Sequence, residues 1–327
     1  MTSRDSTASP TSSTDRSQRI AGVLAPVLTP FDADYRPDAE RLLRHCQWLL
    51  ANDVGLAVFG TNSEANSLSV DERIELLDRL LEAGIDPARM MPGTGCCALT
   101  DTVRLTRHAV TRGCAGVLML PPFYYKAVSD EGLFRSFAEV IERVADSRLK
   151  VYLYHIPPVA QVVISLGLID RLLRAYPDAV AGIKDSSGDW NNSKAMLDRY
   201  AGQAFDVFVG NETFLLANLR NGGRGAISAT ANVNPAAISA LYRDWNTGAA
   251  ERLQSRCDDV RKIFSGYPMM AAMKAALSHW RGDEQWTRLR PPLVELPSAD
   301  STRLLGELEA AGLTLETRDV AEQASVA

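Results

Sequence analysis

Short apolar runs alternate along the chain with longer segments in which apolar residues recur every three or four positions. The short runs read as buried strands, and the longer segments as amphipathic helices. Strands are predicted at 22–27, 55–59, 89–93, 116–120, 150–154, 180–184, 206–210 and 225–228, the third being the weakest. Helices are predicted at 38–50, 69–83, 99–112, 130–144, 166–175 and 190–200, in a short segment ending at Arg220, and at 235–245. Ser69, with Glu72 three positions on, has the spacing of a capping box.

Eight strand–helix units in series imply a parallel sheet, and eight is the number that closes a (β/α)8 TIM barrel. The pattern assigns 20–248 to the barrel. Residues 249–317 carry helical periodicity without a convincing strand and read as a C-terminal helical extension. Residues 1–19 are rich in Ser, Thr, Asp and Arg and read as a disordered tail, not a secretory signal; 318–327 read as a second loose tail.

Composition narrows the function. The 327 residues carry 35 basic and 40 acidic side chains, a net charge of −5. A mildly acidic surface argues against dedicated binding of nucleic acid or of an anionic membrane. No apolar run reaches the roughly 18 residues of a membrane helix. Cys46, Cys96, Cys97, Cys114 and Cys257 show no paired spacing and read as reduced cytoplasmic thiols. His45, His108, His155 and His279 are scattered without metal-ligand spacing, so no metal site is expected.

In such barrels the chemistry sits where strands end. Lys184 closes an apolar run, which puts its amine at the barrel mouth, partly desolvated. Such an amine suits Schiff-base chemistry with a carbonyl; a salt bridge with Asp185 is the alternative. Tyr154 ends the preceding strand and offers a phenol for acid/base steps, or simply packs with its hydroxyl satisfied. Thr61 and Asn62 follow Gly60 at the mouth of a helix. Exposed N–H groups and a hydroxyl there would hold a carboxylate, or form an ordinary cap. Tyr124 and Tyr125 are candidates for a subunit contact. Gly93-Thr94-Gly95-Cys96-Cys97-Ala98 fits a loose dinucleotide-binding pattern. The acidic residue that should follow about 20 positions later is missing, so nucleotide binding is not expected.

Taken together, Gly60-Thr61-Asn62-Ser63-Glu64, Phe123-Tyr124-Tyr125, Tyr154-His155-Ile156-Pro157, Gly182-Ile183-Lys184-Asp185 and Gly225-Ala226-Ile227-Ser228 resemble the dihydrodipicolinate synthase / N-acetylneuraminate lyase family, from about residue 20 to about 295. The resemblance implies a TIM barrel with a helical extension, assembled as a homotetramer built from two dimers, and no metal or organic cofactor. It implies that Lys184 forms a Schiff base with the C2 carbonyl of pyruvate or another small 2-oxo acid. Tyr154 then shuttles protons, Thr61 extends the relay, and Tyr125 serves a neighbouring subunit's site. Asn62, Ser186, Gly210, Glu212 and Ile227 fall at substrate-binding positions.

The departures bear on specificity. Lysine-pathway synthases carry an arginine five residues after the tyrosine, where this chain has Val159. The serine that sialate lyases present to the sugar corresponds to Ala229. Asn62 and the Lys184-Asp185-Ser186-Ser187 run resemble the 4-hydroxy-2-oxoglutarate aldolase branch. The expected function is therefore a Schiff-base lyase or aldolase on 2-oxo acids, with pyruvate released or condensed. The alternatives are a sugar-acid dehydratase or deaminase using the same lysine, a 4-hydroxy-tetrahydrodipicolinate synthase, and a catalytically silent binding homologue.

Overall fold

Seven parallel strands form the sheet of the computed structural model, which describes residues 19–313: β1 (Gly22–Ala25), β2 (Gly55–Leu56), β3 (Val117–Met119), β4 (Val151–His155), β5 (Val180–Asp185), β6 (Asp206–Val209) and β7 (Gly225–Ile227). Their order is β2-β1-β7-β6-β5-β4-β3. Apart from Arg19, the two expected tails lie outside the described residues.

The expected strand at 89–93 is not a regular strand, yet it closes the ring between β2 and β3. Met91 N donates to Leu56 O at 2.8 Å and Gly93 N to Val58 O at 2.8 Å. On its other side Leu118 N donates to Pro92 O at 2.9 Å and Thr94 N to Leu118 O at 3.0 Å. Only isolated bridges form, Leu56 with Met90 and Gly93 with Leu118. Pro92 has no N–H to give the ladder, which explains the interruption. A Cβ on Gly93 would lie 2.1 Å from Phe59 O, and one on Gly95 2.3 Å from Leu120 N. These glycines therefore let backbones approach closely, which accounts for the glycine pattern without a nucleotide.

Successive strand side chains point to opposite faces. Leu24, Ala57, Met91, Leu118, Tyr152, Tyr154, Phe208 and Ile227 fill the inside of the ring. Their neighbours Val23, Leu56, Met119, Val151, Leu153, Ile183, Val207 and Val209 pack outward. Against them lie α1 (Ala39–Ala51), α2 (Val70–Glu82), α3 (Leu99–Thr111), α4 (Asp130–Val144), α6 (Leu166–Ala175), α7 (Trp190–Arg199), α8 (Leu215–Arg220) and α9 (Pro235–Asp244). The Ser69–Glu72 capping box is present. A short helix that the periodicity does not predict, α5 (Pro157–Ala160), follows β4 directly.

Residues beyond α9 form α10 (Ala250–Ser265), α11 (Met269–Arg281) and α12 (Ser298–Ala310). They share an apolar cluster with Leu28, Ala229 and Val233 of the barrel. A buried polar chain adds a second tie. Arg281 Nη2 donates to His45 Nδ1 at 2.8 Å, so His45 Nε2 carries the proton and donates to Asn232 Oδ1 at 3.0 Å.

Burial, reinforced by the Arg281 charge, holds the His45 pKa well below the ordinary histidine value, against the opposing hydrogen bond to Asn232. Below that ordinary value the unfolded chain takes up a proton that the folded chain refuses. Stability should therefore fall with falling pH by up to about 1.4 kcal/mol per unit from this group. Urea unfolding at pH 7.5 and 5.5 checks it. His45→Gln should lower stability at pH 7.5 but flatten its pH dependence, and an unchanged slope would refute the linkage.

Candidate active site

The register of two neighbouring strands builds the centre of the site. β4 and β5 pair with Tyr154 opposite Lys184 and His155 opposite Asp185. Because Ile183 packs outward, Lys184 turns into the barrel beside Tyr154. Lys184 is 2% exposed and Tyr154 3%. Lys184 Nζ donates to Tyr154 Oη at 3.2 Å and lies 4.3 Å from the centre of its ring. Tyr154 Oη shares a further hydrogen bond with Thr61 Oγ1 at 3.3 Å. An amine, a phenol and a hydroxyl thus stand in one line, brought from β5, β4 and the loop after β2.

Asp185 does not pair with Lys184. It faces outward, where Oδ2 accepts from Ser193 Oγ at 2.6 Å and Asn192 Nδ2 at 3.0 Å, and Oδ1 accepts from Ser187 N at 3.0 Å. His155 also faces away from the lysine, its Nδ1 accepting from Ile164 N at 3.1 Å. Burial pushes the His155 pKa down, against the pull of the nearby Asp185 carboxylate.

The Thr61 hydroxyl sits on a one-turn 3-10 segment, Thr61–Ser63, with Gly60 before it and Glu64 after it. The N–H groups of Thr61 and Asn62 open the turn and have no acceptor within it. Phe59 has φ 62° and Glu64 φ 56°. A left-handed backbone at two residues other than glycine costs on the order of 1–3 kcal/mol each and needs support from its surroundings. Support is present: Thr29 Oγ1 donates to Ser63 O at 2.7 Å, Gly60 N to Ser63 Oγ at 3.2 Å, and Arg73 to Ala65 O. Phe59, Gly60, Gly93, Gly95, Leu118 and Leu120 wall the crevice beside Thr61 and Tyr154.

Further support comes from the extension, which sequence reasoning missed. Lys274 on α11 and Glu64 form an ion pair with no exposed side-chain surface. Lys274 Nζ also donates to Arg288 O at 2.7 Å, and Glu64 Oε2 accepts from Arg290 N at 3.0 Å. Arg290 Nη1 donates to Ser67 O at 2.6 Å, and the guanidinium pairs with Glu72. One signal was legible: Lys274 is the only charge within the apolar run 269–277.

The remaining candidates are spread around the mouth. Asn62 is half-buried in the same turn as Thr61. Ser186 follows β5 and crowds Gly210, where an added Cβ would lie 2.1 Å from Ser186 Oγ. Ile227 is buried in the interior cluster. Tyr125 is 72% exposed and packs edge-on against Tyr124. Glu212 lies deeper than the other polar candidates. Its carboxylate is completely buried and accepts from Ser228 Oγ and Thr230 Oγ1, with Arg261 Nη1 3.8 Å away. It joins the loops after β6 and β7 from beneath the surface. A cavity of about 490 Å³ between α1, α9 and α10 contains neither Lys184 nor Tyr154.

The profile of the Dihydrodipicolinate synthetase family matches residues 19–311, and the chain belongs to that family. It is therefore a lyase-family enzyme on a TIM barrel. A DapA-like lyase of Chloroflexus aurantiacus is 35% identical over 292 residues, 88% of this chain and 96% of its own. The solved dihydrodipicolinate synthase of Agrobacterium tumefaciens superposes with a TM-score of 0.82 at 31% identity, covering 89% of this chain and 99% of that one. YagE of E. coli K12, a prophage protein of the same family solved in complex with pyruvate, gives a TM-score of 0.82 at 26% identity, covering 90% and 99%.

Glu212→Ala strands two buried hydroxyls and should cost about 1–3 kcal/mol of stability. The KM for substrate should stay near that of the parent enzyme. Unchanged unfolding together with a raised KM would place Glu212 in the substrate site instead.

Proposed function

We propose that the protein is a Schiff-base lyase that cleaves a small 4-hydroxy-2-oxo acid to pyruvate and an aldehyde, or runs the reverse condensation. The observation that carries this reading is the hydrogen-bonded chain from Lys184 Nζ through Tyr154 Oη to Thr61 Oγ1. A 2-oxo acid needs three services from its enzyme: a nucleophile for C2, a proton carrier beside it, and donors for its carboxylate. The N–H groups of Thr61 and Asn62, which find no acceptor among the described residues, suit the third.

In this reading the Lys184 amine adds to C2, and water leaves to give an iminium ion. Loss of the C4 hydroxyl proton breaks the C3–C4 bond. The electron pair moves into the iminium, leaving an enamine and releasing the aldehyde. A proton returns to C3, and hydrolysis frees pyruvate and the amine. Tyr154 carries the protons and Thr61 links it onward.

The choice against a lysine-pathway synthase rests on charge. The aldehyde of that reaction brings a carboxylate that a fixed arginine would hold by two charge-assisted hydrogen bonds. Val159, at the matching place on α5, is 60% exposed and offers none. Arg174 is exposed and donates to Asp170 O at 3.3 Å. Arg224 lies at the opposite end of the barrel, ahead of β7, and donates to Ile20 O at 3.2 Å. The 31% identity to a dihydrodipicolinate synthase is what favours the competing activity.

Borohydride reduction in the presence of pyruvate should leave a stable adduct on Lys184, found by peptide mapping. An adduct on another lysine, or none, refutes the mechanism. Lys184→Ala should lose several powers of ten in turnover, about the worth of a covalent path. Tyr154→Phe should slow turnover by about 10²–10⁴-fold.

Specificity is decided by measuring kcat/KM side by side for cleavage of a 4-hydroxy-2-oxo acid and for condensation of pyruvate with aspartate semialdehyde. An unpaired carboxylate costs at least about 1–3 kcal/mol, so cleavage should lead by roughly 10- to 100-fold. A faster semialdehyde reaction would overturn the substrate assignment and leave the Schiff base standing.

A further inference from the structure

The three groups of the site differ in how they are held. Lys184 and Tyr154 stand on paired strands, whose ladder fixes them. Thr61 stands on a turn bounded by left-handed residues at Phe59 and Glu64, and the last grip on that turn comes from outside the barrel. Glu64 N donates to Thr61 O at 3.1 Å, so the residue that Lys274 holds is bonded directly to the residue that meets Tyr154. Arg290 grips the same loop at Ser67 O and again, through its own N–H, at Glu64. Phe31 lies under both cations, 4.7 Å from Lys274 Nζ and 4.9 Å from the Arg290 guanidinium.

We propose that the C-terminal extension is a positioning element of the site: Lys274 acting through Glu64, and Arg290 acting through Ser67, hold the Thr61 hydroxyl within reach of Tyr154. The proposal rests on the Schiff-base reading of Lys184 and goes beyond it. A buried ion pair is a poor source of stability, because desolvation offsets much of its attraction. Its geometry is specific, and specific geometry is what a strained turn needs. The consequence is selective. Loosening the clamp displaces the end of the proton relay and leaves the lysine in place.

The test uses the full chain carrying Glu64→Gln with Lys274→Met, which removes both buried charges together and keeps an acceptor for Arg290 N. Two rates are measured per folded protein: borohydride trapping of pyruvate, and exchange of the pyruvate methyl protons with D2O. Trapping reports the amine, and exchange reports proton transfer to and from the enamine. Trapping should stay within about 3-fold of the parent while exchange falls about 10-fold or more, in keeping with the sensitivity of such steps to small misplacements. A purely structural pair would lower the melting temperature and leave the ratio of the two rates unchanged. That result, or two unchanged rates, overturns the proposal. If the double variant does not fold, Arg290→Met serves instead, since its side chain lies nearer the surface. The same split in rates is expected, and an unchanged ratio again overturns the proposal. A parent enzyme that traps no pyruvate on Lys184 would refute the underlying reading instead.

Discussion

The pairing of β4 with β5 is the constraint on which the site depends. Tyr154 lies opposite Lys184, and both point inward because their neighbours His155 and Asp185 point outward. A slip of one residue in either strand would turn its functional side chain out of the barrel and put the other face in its place. The apolar residues along the same strands guard against that slip. Leu153 and Ile183 pack outward against the helices, while Tyr152 fills the interior below the lysine. Core packing and chemistry are thus set by one alternation.

The same logic explains why the third group needs different support. Thr61 is not on a strand, and its turn cannot borrow rigidity from the ladder. Phe59 ends the regular run after β2 with a positive φ, and Gly93 leaves room for its carbonyl. The turn is then held by side chains from four places: Thr29 after β1, Arg73 on α2, and Lys274 and Arg290 of the extension. Three of these are cations that meet a carbonyl or a carboxylate in buried or half-buried surroundings. Such contacts are directional, and costly to leave half-made.

Much of this was legible in the sequence, for physical reasons. Helices with strong periodicity and a cap were placed to within a residue or two, as with α4 at Asp130–Val144 and the capped α2. Lys184, Tyr154 and Thr61 were legible because each ends an apolar run or opens a glycine-led turn. Three features were not. The run at 89–93 read as the weakest strand, and in the fold Pro92 breaks its ladder and its glycines serve close packing. The burial of Glu212 went unread because pattern reports position and not hydrogen-bond partners, and its carboxylate accepts from Ser228 and Thr230. The Lys274–Glu64 pair joins residues 210 positions apart, a separation that no local periodicity reports.

The most direct measurement is a crystal structure of the enzyme soaked with pyruvate. A Schiff base on Lys184 gives continuous density from Lys184 Nζ to C2 of the ligand, with Tyr154 Oη within hydrogen-bond reach of the new linkage and still bonded to Thr61. The ligand carboxylate should lie against the N–H groups of Thr61 and Asn62. Pyruvate bound away from Lys184, or lying beside an unmodified amine with its carboxylate held elsewhere, would refute the Schiff-base site.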